Sequence, residues 1–171
     1  MENRGLHLAY ISVGSNMGNR IENCEKGIKL LNDQDFISVL IRSPFYQTEP
    51  VDYIEQDWFI NGVVQVETSL EPVSLLKTVK GIEQQVGRKS SDIRFGPRIL
   101  DMDLLLYDSS VFQHSGLEIP HPRMHKRCFV LKPLCDIDPN IVHPVLGQTI
   151  QNLLDRIDQE GQEVIQYSCG D

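Results

Sequence analysis

No stretch of this 171-residue chain approaches the ~20 consecutive apolar residues of a membrane span, and the Met1-Glu2-Asn3-Arg4-Gly5 start lacks the apolar core of a secretory leader. The expectation is a soluble, cytoplasmic protein. A broad basic surface is also missing: the net charge is −8, which disfavours nucleic acid as a partner because phosphate neutralisation needs a cationic footprint. Cysteine is sparse and unpaired in pattern. Cys24, Cys128, Cys135 and Cys169 form no C-x-x-C and no disulfide framework, which fits reduced thiols. His121, His125, Cys128 and Cys135 match no familiar zinc spacing, and Pro120 and Pro122 interrupt them. A lysine-bearing phosphate loop is absent as well. Gly81 to Ser90 reads G-x-x-x-x-x-G-R-K-S, one residue too long, and Gly14 to Gly18 has no lysine. No internal repeat, low-complexity tract or second domain is visible.

What is present suits one compact domain: 40% apolar residues in a chain long enough to enclose a core. Residues 8 to 13 read as a strand, followed by a Gly14-to-Asn19 turn and a helix carrying Ile21, Cys24, Ile28 and Leu31 at helical spacing to about Asn32. Phe36 to Tyr46 reads as a second strand and Asn61 to Thr68 as a third, with a polar and aromatic loop between them. Pro72 opens a second helix lined by Val73, Leu76, Val79, Ile82 and Val86, and Gly87 stops it. A fourth strand follows around residue 101, with short strands near Val111-Phe112 and Leu117-Ile119. Helical stretches near His125 to Leu134 and Thr149 to Ile157 complete the body, and the tail after Asp158 reads as loose. The order β-α-β-β-α-β predicts an α+β fold, the ferredoxin-like split βαβ antiparallel sheet.

The run Arg98-Ile99-Leu100-Asp101-Met102-Asp103-Leu104-Leu105-Leu106-Tyr107 stands out because two acids interrupt an apolar strand. Side chains alternate along a strand, so Asp101, Asp103 and Leu105 share one face while Leu100, Met102, Leu104 and Leu106 share the other. The two acidic Cα atoms then stand roughly 6.7 Å apart. Two carboxylates at that spacing suit a hard cation such as Mg²⁺, which completes its shell with phosphate oxygens. Immediately upstream, Gly87 to Arg98 carries Arg88, Lys89, Arg94 and Arg98 against Asp92 alone and is punctuated by Gly and Gly-Pro. A basic loop feeding a diacid strand is what metal-assisted phosphoryl transfer requires.

Gly96-Pro97-Arg98-Ile99-Leu100-Asp101-Met102-Asp103 resembles the G-P-R-x-x-D-x-D signature of the 6-hydroxymethyl-7,8-dihydropterin pyrophosphokinases of folate biosynthesis. Gly14-Ser15-Asn16, Ser43 to Pro50, Phe59-Ile60-Asn61, Pro120-His121-Pro122 and Arg127-Cys128-Phe129 fall in that family's order, so the resemblance spans about residues 8 to 157 of one 171-residue domain. It implies an α/β/α sandwich and transfer of pyrophosphate from MgATP to the pterin hydroxymethyl group, with AMP released. It implies that Asp101 and Asp103 ligate two magnesium ions and that Arg88 and Arg98 assist transfer. Glu83, Arg94, Phe95, His121 and Arg127 match ATP-site positions; a mid-helix Glu83 and a turn-capping His121 are the plainer alternatives. Thr48, Glu49, Pro50, Val51, Phe59, Asn61 and Phe129 match the pterin pocket. Asn61 suits that role on its own chemistry, since an amide donates and accepts at once; for Phe59 and Phe129 a place as core aromatics is the plainer alternative.

The chain departs from the family's usual pattern at Phe95, where Trp is common, and at Ser90, Lys80 and Phe59. These departures bear on nucleotide affinity more than on reaction type. No general base is evident in the motifs, and neither is an obligate protein partner. The rival reading from another class is a ferredoxin-like regulatory module whose diacid holds a structural cation and whose loop senses a nucleotide without turnover.

Overall fold

The computed structural model describes residues 5–51, 54–87, 97–114 and 116–168. Strands β1 (His7–Ser15), β2 (Ile37–Arg42), β3 (Tyr46–Thr48), β4 (Phe59–Thr68), β5 (Asp101–Tyr107) and β8 (Val164–Gln166) form one sheet. Helices α1 (Arg20–Asn32), α2 (Pro72–Val86), α3 (Cys128–Ile137) and α4 (Ile150–Arg156) pack on it, while β6 (Phe112–His114) and β7 (Leu117–Ile119) make a separate hairpin. Among the described residues no helix is long and apolar enough to cross a membrane.

The order along the sheet is β5-β1-β4-β3-β8, with β2 pairing β4 beside β3, and every pairing is antiparallel. This is the split βαβ arrangement: β1 and β4 are central, and each β-α-β crossover skips a strand. α1 begins where the Asn19 side chain accepts from the Glu22 N–H, and it buries Cys24, Ile28 and Leu31 along one stripe. α2 starts with Pro72 in its first turn and ends at Gly87, whose φ of 115° only glycine adopts without strain. Both helices cover the sheet face that carries Ala9, Ile11, Val13, Val64, Val66, Met102 and Leu104. α3 and α4 cover the other face over Tyr10, Val63, Leu105 and Leu106. Two apolar cores sandwich the sheet, giving the three-layer α/β/α architecture.

Several boundaries differ from the sequence reading. Phe36 to Tyr46 is two strands, because the Ser43-Pro44-Phe45 segment leaves the ladder and Ser43 bonds Val63 through both its N–H and its hydroxyl. The β1–β5 register shifts between Tyr10 and Ile11, so a bulge inserts one residue and Leu106 lies on the acids' face beside Tyr10, opposite Leu104. On α2 the most deeply buried positions include Leu75 and Glu83, with Val73, Leu76 and Val86 only partly covered. The stretch from His125 is a 3₁₀ turn over Met124–Lys126 followed by α3, which runs on to Ile137. The tail is not loose: Val164–Gln166 adds a strand to β3, and Tyr167 N–H donates to the Phe45 carbonyl.

Candidate active site

Cross-strand partners share a sheet face, so the register places functional groups directly. Asp101 pairs with Gly14, Gly14 with Asn61, and Asn61 with Tyr46; one step along, Asp103 pairs with Ser12. Asp101 and Asn61 therefore stand in one row, two strands or roughly 10 Å apart. Gly14 separates them without a side chain of its own. A Cβ there would sit 2.2 Å from Asn61 Oδ1, so glycine is required for the Asn61 side chain to lie as it does. This row floors a cavity of about 400 Å³ on the sheet face that carries α3.

At one end of the cavity stand Asp101, Asp103, Arg98, Lys80, His121, Arg123 and Arg127; at the other, Thr48, Glu49, Pro50, Val51, Phe59, Asn61 and Phe129. Asn61 Nδ2 donates to Thr48 Oγ1 at 2.6 Å, which locks the amide orientation in a buried setting. Thr48 and Glu49 are braced by the tail, since Thr48 pairs with Val164, and Glu49 N–H donates to the Glu163 carbonyl while Glu49 Oε2 accepts the Glu163 N–H. The Arg127 guanidinium lies over the Phe129 ring at 5.4 Å, joining the two ends.

Arg98 is held by its backbone. Asn16, only 3% exposed, accepts the Arg98 N–H through Oδ1 at 2.8 Å and donates its own N–H to the Arg98 carbonyl at 3.0 Å. The same Asn16 amide donates to Gln56 Oε1 and to the Asp57 carbonyl. One buried side chain thus ties the start of β5 to the loop before β4.

His121 Nδ1 accepts the Arg123 N–H at 3.1 Å, which puts the proton of the neutral ring on Nε2. Its pKa is lowered, chiefly by burial and further by Arg127, Arg123 and Lys80, against an opposing pull from Asp103. His121 is thereby a neutral hydrogen-bond donor at physiological pH. The metal-capable donor set consists of carboxylate oxygens, the hard ligands that Mg²⁺ takes while leaving positions for phosphate and water, and the pair fits that ion.

Glu83 overturns the plainer of its two sequence readings, the solvated one. It is neither solvated nor among the residues lining the cavity; its carboxylate, 1% exposed, accepts the Met102 N–H at 2.7 Å and the Lys80 ammonium at 3.0 Å. Arg88, Arg94 and Phe95 lie outside the described residues. Six lining residues were not singled out from sequence as site residues: Ser12, Gly14, Gln56, Lys80, Pro122 and Arg123. Strand parity with Asp103 would have found Ser12 once the β1–β5 register was known.

A ferredoxin-like α/β/α domain with a carboxylate pair facing an amide-and-aromatic pocket is the frame in which the comparisons with known proteins place a transferase. The model of the 7,8-dihydro-6-hydroxymethylpterin-pyrophosphokinase (HPPK) family matches residues 10–139, and the chain belongs to that family. It is 40% identical over 164 residues to the 2-amino-4-hydroxy-6-hydroxymethyldihydropteridine pyrophosphokinase of Bacillus subtilis, spanning 96% of this chain and 93% of that one. It is also 40% identical over 154 residues to the folic acid synthesis protein fol1 of Schizosaccharomyces pombe, covering 90% of this chain but only 21% of that protein. A crystal structure of Plasmodium falciparum HPPK-DHPS with pteroate superposes with a TM-score of 0.71 over 89% of this chain and 42% of that one. At 16% identity that match speaks for the fold alone.

Proposed function

We propose that this chain transfers pyrophosphate from MgATP to the hydroxymethyl oxygen of 6-hydroxymethyl-7,8-dihydropterin, giving the pterin diphosphate and AMP, a step of folate biosynthesis. The observation that supports this reading is the Asp101–Gly14–Asn61 row, which brings an acidic end fit for phosphate and metal and an amide end fit for a heterocycle onto one sheet face. A flat, polar-edged pterin would lie between Phe59 and Phe129 with its edge on Asn61, whose amide both donates and accepts. The hydroxymethyl group then points along the row toward the acids.

Asp101 and Asp103 would hold two Mg²⁺ ions. Bound there, Mg²⁺ supplies charge neutralisation of the polyphosphate and acidification of the attacking hydroxyl. Arg98, with Arg88 of the basic loop, stabilises the transferring group; Arg127 and the Nε2–H of His121 donate to phosphate oxygens. Glu83 braces β5 beside that site, and Arg94 and Phe95 are the further residues that would bind the nucleotide. Rigid placement contributes most, because in-line attack on the β-phosphorus depends on orientation. The side chain that receives the hydroxyl proton is left unassigned: His121 already carries its Nε2 proton and its Nδ1 is engaged.

Product analysis tests this reading. Incubation with MgATP and the pterin yields AMP and a pterin diphosphate in equal amounts by nucleotide chromatography; stoichiometric ADP without AMP means attack at the γ-phosphorus and overturns it. Nucleotide binding without turnover would instead favour a regulatory module.

A further inference from the structure

Among the described residues β5 ends the sheet, and its outward backbone groups face no neighbouring strand there. At Met102, between the two acids, the N–H donates to Glu83 Oε1 at 2.7 Å and the carbonyl accepts from Lys80 Nζ at 2.9 Å. Two α2 side chains thus stand in for a missing strand. Lys80 does more than close this ladder: Nζ also lies 3.6 Å from Asp103 Oδ1, longer than a hydrogen bond but a close charge pair, and the side chain lines the cavity. It cannot leave cheaply, since departure would take a cation from 3.0 Å beside the buried Glu83 carboxylate.

We infer that Lys80 is a resident competitor of the divalent cation: its charge occupies Asp103 while polyphosphate is absent and keeps the acid pair from filling until the nucleotide arrives. This rests on the reading that Asp101 and Asp103 hold the metal. A cation bound to Asp103 at ~2.1 Å would lie within about 6 Å of the ammonium, and like charges at that distance repel. The phosphates of a nucleotide offset the excess positive charge, so metal and nucleotide bind with positive coupling. Lys80 is 37% exposed, so solvent screens the effect, which is set at about tenfold in metal affinity.

The test is titration with Mn²⁺, reading the free ion by electron paramagnetic resonance, with and without a non-hydrolysable ATP analogue. K80Q removes the charge and keeps an N–H donor for the Met102 carbonyl; K80M removes both while keeping an unbranched stem; K80R keeps the charge. Both uncharged variants should bind Mn²⁺ about tenfold tighter than wild type without nucleotide and nearly equally with it, and K80R should behave as wild type. Unchanged or weaker nucleotide-free binding in K80Q and K80M, with D103N still abolishing it, overturns the role of Lys80 and leaves the metal site standing. Binding insensitive to D103N in every form overturns the metal site, and the inference with it.

Discussion

Two carboxylates facing one cavity contribute little to the fold that carries them. Asp101 and Asp103 sit on the same strand face, and their mutual repulsion is offset in part by Lys80 at 3.6 Å from Asp103. Asp101→Asn and Asp103→Asn should therefore fold as well as wild type, with equal or slightly higher thermal midpoints in the absence of metal. Turnover should fall on the order of 10²-fold or more. MgATP should raise the midpoint of the wild type and of neither variant, because a ligand stabilises only what binds it. Differential scanning fluorimetry with and without MgATP checks the pair of expectations; a variant that keeps the full MgATP shift would show that its carboxylate is not a ligand. Asp101 and Asp103 are legible in the sequence, since acids in an apolar run are costly without a purpose, whereas Asn61 is reached through the family resemblance. Ser12 is not legible, being a small residue in an ordinary strand, and Gly14, read as the start of a turn, lies within β1 and acquires its place from what stands opposite.

At the scale of elements, the segment after Asp158 shows how a weak sequence signal can matter. Val164, Ile165 and Gln166 are too short a run to read as a strand, yet they pair with Thr48, Gln47 and Tyr46 and brace the loop that lines the Asn61 end of the cavity. Ending the chain at Gly161 removes this support and the backbone bond from Glu49 to Glu163. The expected result is a several-fold rise in KM for the pterin with MgATP affinity nearly unchanged, measured by steady-state kinetics and equilibrium titration. Equal losses for both substrates would assign β8 to general stability instead. The bulge in β5 was invisible for a related reason. A single inserted residue changes parity without changing composition, so Leu106 and Leu104 look alike in sequence but belong to different cores.

For the molecule as a whole, burial of neutral histidine sets an acid limit. His143 is 3% exposed; its Nδ1 accepts from the Val145 and Leu146 N–H groups, and its Nε2 has no partner among the described residues. Its pKa is lowered by burial and then by the neighbouring His125, whose ring centroid is 6.1 Å away. A folded pKa below the ordinary 6.5 means the unfolded chain binds the proton more readily. Its contribution to stability is thus complete above pH ~6.5 and is lost as pH falls from there through the folded value. Urea unfolding at pH 8 and pH 5 should show the wild type losing stability on acidification, and His143→Gln should lose less over the same interval. An identical pH dependence in the two proteins would remove His143 as the source.

The sequence by itself determined the principal elements and the proposed chemistry: hydrophobic period, caps and turn residues fix β-α-β-β-α-β locally, and the Arg98-to-Asp103 motif sets an acid pair beside basic residues. Tertiary structure decided which residues meet. Only the antiparallel register brings Asp101, Gly14 and Asn61 into one row, since residues 14, 61 and 101 are distant in the chain and pairing is set by the fit of whole strand faces into two cores. The role of Glu83 was decided the same way. A carboxylate in mid-helix reads as solvated until the Met102 N–H at the sheet's edge is seen to donate to it.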